Sequence, residues 1–409
     1  MILRRYICQR LRDYYSQPAE NVVGSVSVVG DALSSPTSSI DFPSLWGEWH
    51  WRRTYERVYK EQRGRWLTPV ELFYPFYSKA FANFILESVV KFGQNEFEIV
   101  ECGGGRGTNA LSILDHLHDF HFDAYEALQR YTIIDTSPTL HELQRKVLKE
   151  RSKHADKVDL VNVDLMDIAE GHSVFLPSSD VPTAVLAFEL LDNLPHDKIA
   201  RCIDTGNVLQ AQVSANGMKS SHVDTSLEYV ETYSPLSDPL LKRISEVRPS
   251  LYTPLASQGP RWVPSVALGF LMRLYECRPN SSVAFADFDW LPPADVGTIP
   301  ARQDSDILMA EPAIGDPIVT DMSGKDHPCY LTSPPDAPCD ILYPTDFGRL
   351  AAFASGLLST DGLACQHMKQ SEFLLRYGNA EVNRTRGYTG YSPMIRDFGN
   401  TSVFITNKA

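Results

Sequence analysis

The stretch Glu98-Ile-Val-Glu-Cys-Gly-Gly-Gly-Arg-Gly-Thr-Asn-Ala110 decides the fold. An apolar run ends at Glu101, and Gly103, Gly104, Gly105 and Gly107 follow at once, ahead of a segment with helical spacing. Without side chains, that turn lets main chain approach a ligand closely. Further on, Tyr131-Thr-Ile-Ile-Asp135 is a second apolar run ending in a carboxylate. A nucleoside ribose requires this pairing of glycines beneath it and an acidic acceptor for its hydroxyls.

Charge sign selects among nucleoside cofactors. No Gly-Lys-Ser/Thr follows the glycines, so a phosphate loop is excluded. Glu101 would repel a pyrophosphate but suits the ammonium and sulfonium side of S-adenosylmethionine. Gly103, Gly105 and Gly107 then form the cofactor loop, and Asp135 accepts from the ribose hydroxyls. Asp164, in Asn162-Val-Asp164-Leu165, is placed to accept from the adenine amino group, with Leu165 against the ring. The structural alternatives are a helix cap for Asp135, since Ser137-Pro138 follows, and a turn for Asp164.

Outward from the glycines the rhythm is strand, helix, strand. Apolar runs at 98–102, 131–135, 158–163, 183–188 and 282–288 end in polar or acidic residues, with helical patterns between them. This predicts an α/β, doubly wound, Rossmann-like sheet with ligands at the carboxyl ends of its strands. Residues 42–97 read as a helical extension, with one long helix opening at Leu67-Thr-Pro-Val-Glu71 and an aromatic stripe from Phe73 to Val89. Residues 98–195 form the cofactor half. Residues 196–265 are an insertion facing the substrate, with a hairpin turning at Gly206-Asn207. Residues 266–409 complete the core, through long Pro-rich loops and a strand-turn-strand tail.

The segment Phe188-Glu-Leu-Leu-Asp-Asn-Leu-Pro195 carries the second constellation. Glu189 and Asp192 follow a strand that begins beside the cofactor. Paired carboxylates orient a guanidinium, which is too basic to be deprotonated readily, and hold its nitrogen in line with a methyl group. Capping of a following helix is the structural alternative. His116, His118 and His121 lack a companion carboxylate or cysteine set for a metal, and no Gly-x-Ser-x-Gly elbow occurs.

A net charge of -13 and pI near 5.3 argue against a broad nucleic-acid surface. The seven cysteines are scattered, without a Cys-x-x-Cys pair, as in a reducing compartment. No apolar stretch is long enough for a membrane span. Residues 1–41 begin with an Arg-rich, acid-poor stretch and continue into a Ser-rich one, as expected of a transit peptide or flexible tail. A basic first helix of the folded protein is the alternative.

Together these segments resemble the MidA family of S-adenosylmethionine-dependent methyltransferases, whose mitochondrial members are the complex I assembly factor 7 proteins. Glu101-Cys-Gly-Gly-Gly-Arg-Gly-Thr108 resembles the family's cofactor loop. Asp135-Thr-Ser-Pro138 with Gln144-Arg145 resembles its second-strand block, and Glu189-Leu-Leu-Asp-Asn-Leu-Pro195 its Glu-Phe-Phe-Asp-Ala-Leu-Pro segment. The resemblance covers about residues 65–405. It implies a seven-stranded class I methyltransferase fold with helical and hairpin insertions. It further implies symmetric dimethylation of a protein arginine, on a complex I 49-kDa-type subunit in the mitochondrial matrix; cytoplasm is the alternative location. By resemblance Glu101, Gly103, Gly105, Asp135 and Asp164 line the cofactor pocket while Glu189 and Asp192 face the arginine. A homodimer is compatible with the sequence. Gly64–Glu71 and Asp287-Phe-Asp289 depart from the family pattern. Those departures keep two alternatives open: an assembly scaffold that binds a partner through the insertion, and a small-molecule methyltransferase.

Overall fold

The computed structural model describes every residue except 19–26, 29–36, 39, 62–66, 94, 217–227, 256–257, 293–315, 332–337, 359–361 and 409. Most of the Ser-rich stretch, Gly64 to Trp66, and much of the Pro-rich loops therefore lie outside the described residues.

Seven strands form the central sheet: β1 (Phe97–Cys102), β2 (Leu128–Asp135), β3 (Val158–Asn162), β4 (Thr183–Phe188), β5 (Ser281–Phe288), β6 (Leu363–Lys369) and β7 (Thr401–Lys408). Their order is β6-β7-β5-β4-β1-β2-β3. Only β7 runs antiparallel to its neighbours β5 and β6; β5, β4, β1, β2 and β3 pair in parallel. From β1 the chain winds outward to β2 and β3, then returns to β4 on the other side. The reversal opens a crevice at the carboxyl ends of β1 and β4, where such sheets bind ligands.

Both faces of the sheet are covered, so its strands read as apolar runs rather than alternating ones. All six residues of β4 are buried. Ile99, Tyr131, Ile133, Ala184 and Leu186 pack with Phe81, Phe84 and Ile113 on one face. Val100, Ile134, Val185 and Ala187 pack with Ile168, Leu268 and Phe353 on the other. The aromatic stripe of the N-terminal extension is thus core. Its helix is not continuous, however: Pro69–Leu72 is one short turn and Phe76–Val90 a second helix. Pro75 sits at the N-cap of the second, the place where its missing N–H costs least.

The insertion is more than a hairpin. Asp197–Arg201, Val208–Asn216, Glu228–Pro235 and Arg261–Val263 make an antiparallel sheet in which 261–263 pairs with 197–201, 197–201 with 208–216 and 208–216 with 228–235. Gly206 supplies the left-handed turn residue (φ 69°). Beyond the hairpin, Glu228–Pro235 adds a further strand. The tail also differs, because β6 and β7 are joined through helices at Gln370–Tyr377, Asn379–Arg384 and Pro393–Arg396. No described helix is long and apolar enough to cross a membrane.

The expectation of a flexible tail does not hold for Leu3–Tyr15, which is a helix burying Leu3, Tyr6, Ile7, Leu11 and Tyr14. Those positions fall on one face at helical spacing, a pattern the arginines obscured. Arg4 is only 2% exposed and binds Glu170 through Nε (2.7 Å), Asp197 through Nη1 (2.8 Å) and Asp238 through Nη2 (2.7 Å). Burial opposes its charge, but Asp197 and Asp238 more than compensate and hold the guanidinium protonated. The helix is thereby fixed to the insertion and to the helix following β3.

Candidate active site

The glycine loop leaves β1 in conformations that other residues rarely adopt. Gly103, Gly105 and Gly107 have φ of 71°, 52° and 82°. Gly104 answers a different demand, close approach: a Cβ there would lie 2.5 Å from Cγ2 of Ile133 on β2. Gly104→Ala is therefore expected to displace Ile133 and destabilise the fold by about 1–3 kcal/mol, the usual cost of overpacking. Urea unfolding checks this, and an unchanged midpoint would contradict it.

Two acids stand at this loop. Glu101 is 1% exposed and accepts from Asn109 Nδ2 (2.9 Å) and the Tyr131 hydroxyl (2.7 Å). Burial pushes its carboxyl up to about 7. Asp135, at the tip of β2, accepts from the Ser137 amide (2.9 Å) and from Gln144 Nε2 (3.0 Å), and burial pushes it up to about 6. Ser137, not Asp135, caps the helix that follows, through its own side chain. Gln144 Nε2 also donates to the Gly105 carbonyl (2.9 Å), tying the glycine loop to the second strand's acid.

Asp164 is already engaged. Its Oδ1 caps Leu165–Glu170 by accepting from the Met166 amide (2.8 Å), and its Oδ2 accepts from Arg12 Nε (2.8 Å). An adenine amino group would share this carboxylate with Arg12. Leu165 is buried in the apolar cluster with Val100 and Ile134, so its side chain serves the core.

The second constellation sits at the tips of β4 and β5. Glu189 is the only non-glycine among the described residues with positive φ, at 47°. Strain of this kind, of the order of 1 kcal/mol or more, persists where surrounding structure over-determines it. The Glu189 amide donates to the Ala286 carbonyl (2.9 Å), while its buried Oε1 has no partner. Asp192 lies in the turn Leu191–Asn193, and its Oδ1 is likewise buried and without a partner. Neither acid caps that turn, which has no side-chain cap.

The structure adds a third acid, Asp287 of β5, which is fully buried. It accepts from the Asp192 amide (3.1 Å) and the Phe288 amide (2.6 Å), and also from the amides of Leu190 and Leu191. Asp287 thus organises the loop that presents Glu189 and Asp192. Burial pushes it up to about 7. Burial, and then Asp287, raise Glu189 and Asp192 well above the usual carboxylate range. In the sequence Asp287 registered as the acid ending a strand and as part of a departure from the family pattern; its loop-clamping role depends on β4 and β5 lying side by side. His196 is held neutral, burial pushing it down to about 4, and its ring stacks on Tyr343 at 4.0 Å. Among the described residues no group of acids, histidines and cysteines could hold a metal.

Beyond Leu191 lies a cavity of about 550 Å³ walled by His196, Tyr252, Trp262, Tyr343 and Phe347. The ion pair Lys369 Nζ to Asp289 Oδ2 (2.6 Å) belongs to its lining.

The buried oxygens without partners at this crevice are Asn109 Oδ1, Gln144 Oε1, Glu189 Oε1 and Asp192 Oδ1. A site offering acceptors and carboxylates fits a ligand that brings donors and positive charge. S-adenosylmethionine is such a ligand. Residues 80–363 match the sequence profile of a family of S-adenosyl-L-methionine-dependent methyltransferases, Methyltransf_28. The chain belongs to this family. A solved structure of a COG1565 superfamily member from Burkholderia thailandensis, bound to S-adenosyl-homocysteine, is similar in fold. It is 15% identical with a TM-score of 0.62, and the alignment covers 100% of this chain and 87% of that one. A native crystal structure of a COG1565 superfamily protein from the same organism gives 15% identity, a TM-score of 0.58 and the same coverage. No curated protein matches the chain. The methyltransferase binds S-adenosylmethionine as its cofactor; Glu101, Asp135 and the glycine loop are the residues here that would hold it. When bound, the cofactor supplies an electrophilic methyl group on a sulfonium.

Proposed function

We propose that this methyltransferase modifies a nitrogen of a cationic acceptor, and that Glu189 and Asp192 hold that acceptor. The observation that carries the reading is the pair of buried, unpartnered oxygens, Glu189 Oε1 and Asp192 Oδ1. An acceptor that brings N–H donors and positive charge satisfies both oxygens and lowers both raised carboxyls into their ionised form. Held by two carboxylates, the acceptor nitrogen is fixed in position, where orientation supplies much of the rate. The resemblance to the MidA family supports a guanidinium in this role: a protein arginine, symmetrically dimethylated, on a complex I 49-kDa-type subunit in the mitochondrial matrix.

The second reading is a small-molecule acceptor, favoured by the cavity of about 550 Å³ beside Leu191. That volume lies in the range of small-molecule sites. One experiment separates the two. The purified protein is incubated with methyl-labelled S-adenosylmethionine and a mitochondrial extract, and labelled products are located by mass spectrometry. Label on an arginine supports the first reading; label confined to small molecules supports the second. Label on oxygen or carbon would overturn the cationic-nitrogen proposal.

A further inference from the structure

The first helix does more than pack against the core. Cys8, Arg12 and Tyr15 occur at i, i+4 and i+7, so they share one face of Leu3–Tyr15. That face lies along the strand tips. Cys8 Sγ and Arg12 Nε both reach Asp164, at 3.6 and 2.8 Å, beyond the end of β3. The Tyr15 carbonyl accepts from Ser137 Oγ (2.8 Å), two residues past the tip of β2. The Tyr15 hydroxyl donates to Asn193 Oδ1 (2.9 Å), in the turn after β4. Asn193 in turn donates to Asp340 Oδ1 (2.7 Å). Arg4, four residues before Cys8, locks the other end of this face through its three carboxylates.

Tyr15 therefore reaches from the ribose acid's neighbour to the acceptor acids' neighbour. A cofactor with its sugar at Asp135 and its methyl turned towards Glu189 and Asp192 must cross the same interval. Burial, and then the charges of Asp340, Asp192 and Asp135, keep the Tyr15 phenol protonated. An aromatic face in an acid-lined site attracts a cation more strongly than it does a neutral thioether. We propose that the Cys8–Arg12–Tyr15 face is a wall of the cofactor site, and that the Tyr15 ring discriminates the sulfonium of S-adenosylmethionine from the thioether of the demethylated product. The helix at the start of the chain is then part of the catalytic structure, and Tyr15 favours exchange of spent cofactor for fresh.

The test is isothermal titration calorimetry of the full chain with S-adenosylmethionine and, separately, S-adenosylhomocysteine. Tyr15→Leu is expected to raise the Kd for S-adenosylmethionine about tenfold and that for the product about threefold or less, the difference expected for a lost cation–π contact. Tyr15→Phe keeps the ring and should retain the wild-type ratio of the two constants. Asp13→Ala, on the exposed side of the same helix, should change neither. Melting temperatures are compared so that loss of fold is seen as such. If Tyr15→Leu destabilises the fold, the Kd ratio of Tyr15→Phe against wild type decides, a changed ratio overturning the role of the ring. Equal losses for both ligands in Tyr15→Leu would overturn charge discrimination. Unchanged or tighter binding of both would overturn the wall itself, leaving the helix a bystander or an obstruction.

Discussion

Replacing Glu189 by glutamine is expected to stop methyl transfer and, at the same time, to make the cofactor-free protein more stable above neutral pH. The loss of turnover follows if the acceptor is the cation proposed above: glutamine keeps the shape but presents no charge to it. A preorganised electrostatic group of this kind contributes roughly 100- to 1000-fold to turnover. The gain in stability follows from the environment of Glu189. Its carboxyl is raised by burial and by Asp287, so the folded state binds its proton more tightly than the unfolded state does. Such a group stabilises the fold at low pH and loses that contribution as pH rises through its folded value. Glutamine has no proton to lose. The variant's advantage should therefore be small near pH 4.5 and grow towards pH 8. The backbone at φ 47° stays non-glycine in both proteins, so the comparison isolates the charge. Urea unfolding at the two pH values, with turnover measured beside it, checks the prediction. A fully active variant would refute the catalytic role, and a variant destabilised at pH 8 would refute the account of its burial.

The same trade extends over the site. Glu101, Asp135 and Asp287 are all buried acids whose carboxyls stand near 6 or 7. Each one is a cost near neutral pH, which a cation bound nearby would offset. Sites that break the rules of a good core in this way are where function is concentrated.

Much of this was legible in the chain because local patterns there coincide with tertiary roles. Gly103–Gly107 after an apolar run, and the carboxylates at 135 and 189, mark strand tips wherever the sheet places them. The parallel strands read clearly because burial on both faces makes them continuous apolar runs. The seven-stranded form of the sheet was implied by the resemblance, and the strand pairings bear it out. Other features had no local signature. Asp287 clamps the Leu190–Asp192 amides only because β5 lies against β4. Tyr15 and Arg12 sit on a helix whose Arg4 is held by three acids more than 160 positions away. Read locally, the arginines of that first helix resembled a targeting signal; in the fold, Arg4 is a buried anchor. The engagement of Asp164 with Arg12 was equally invisible, since the two partners lie 152 positions apart in the chain.

The central claim, that a cationic nucleoside cofactor is gripped by the acid ending β2, is tested most directly by calorimetric titration of S-adenosylmethionine into wild-type and Asp135→Ala protein. Hydrogen bonds to a charged group contribute about 1.5–3 kcal/mol each. Losing two from the ribose hydroxyls should weaken binding by about 100-fold or more. With its carboxyl near 6, Asp135 should also make wild-type binding weaken as pH falls from 7.5 to 5, and the variant should lose part of that dependence. An Asp135→Ala protein that binds S-adenosylmethionine with wild-type affinity at pH 7.5 would contradict the account.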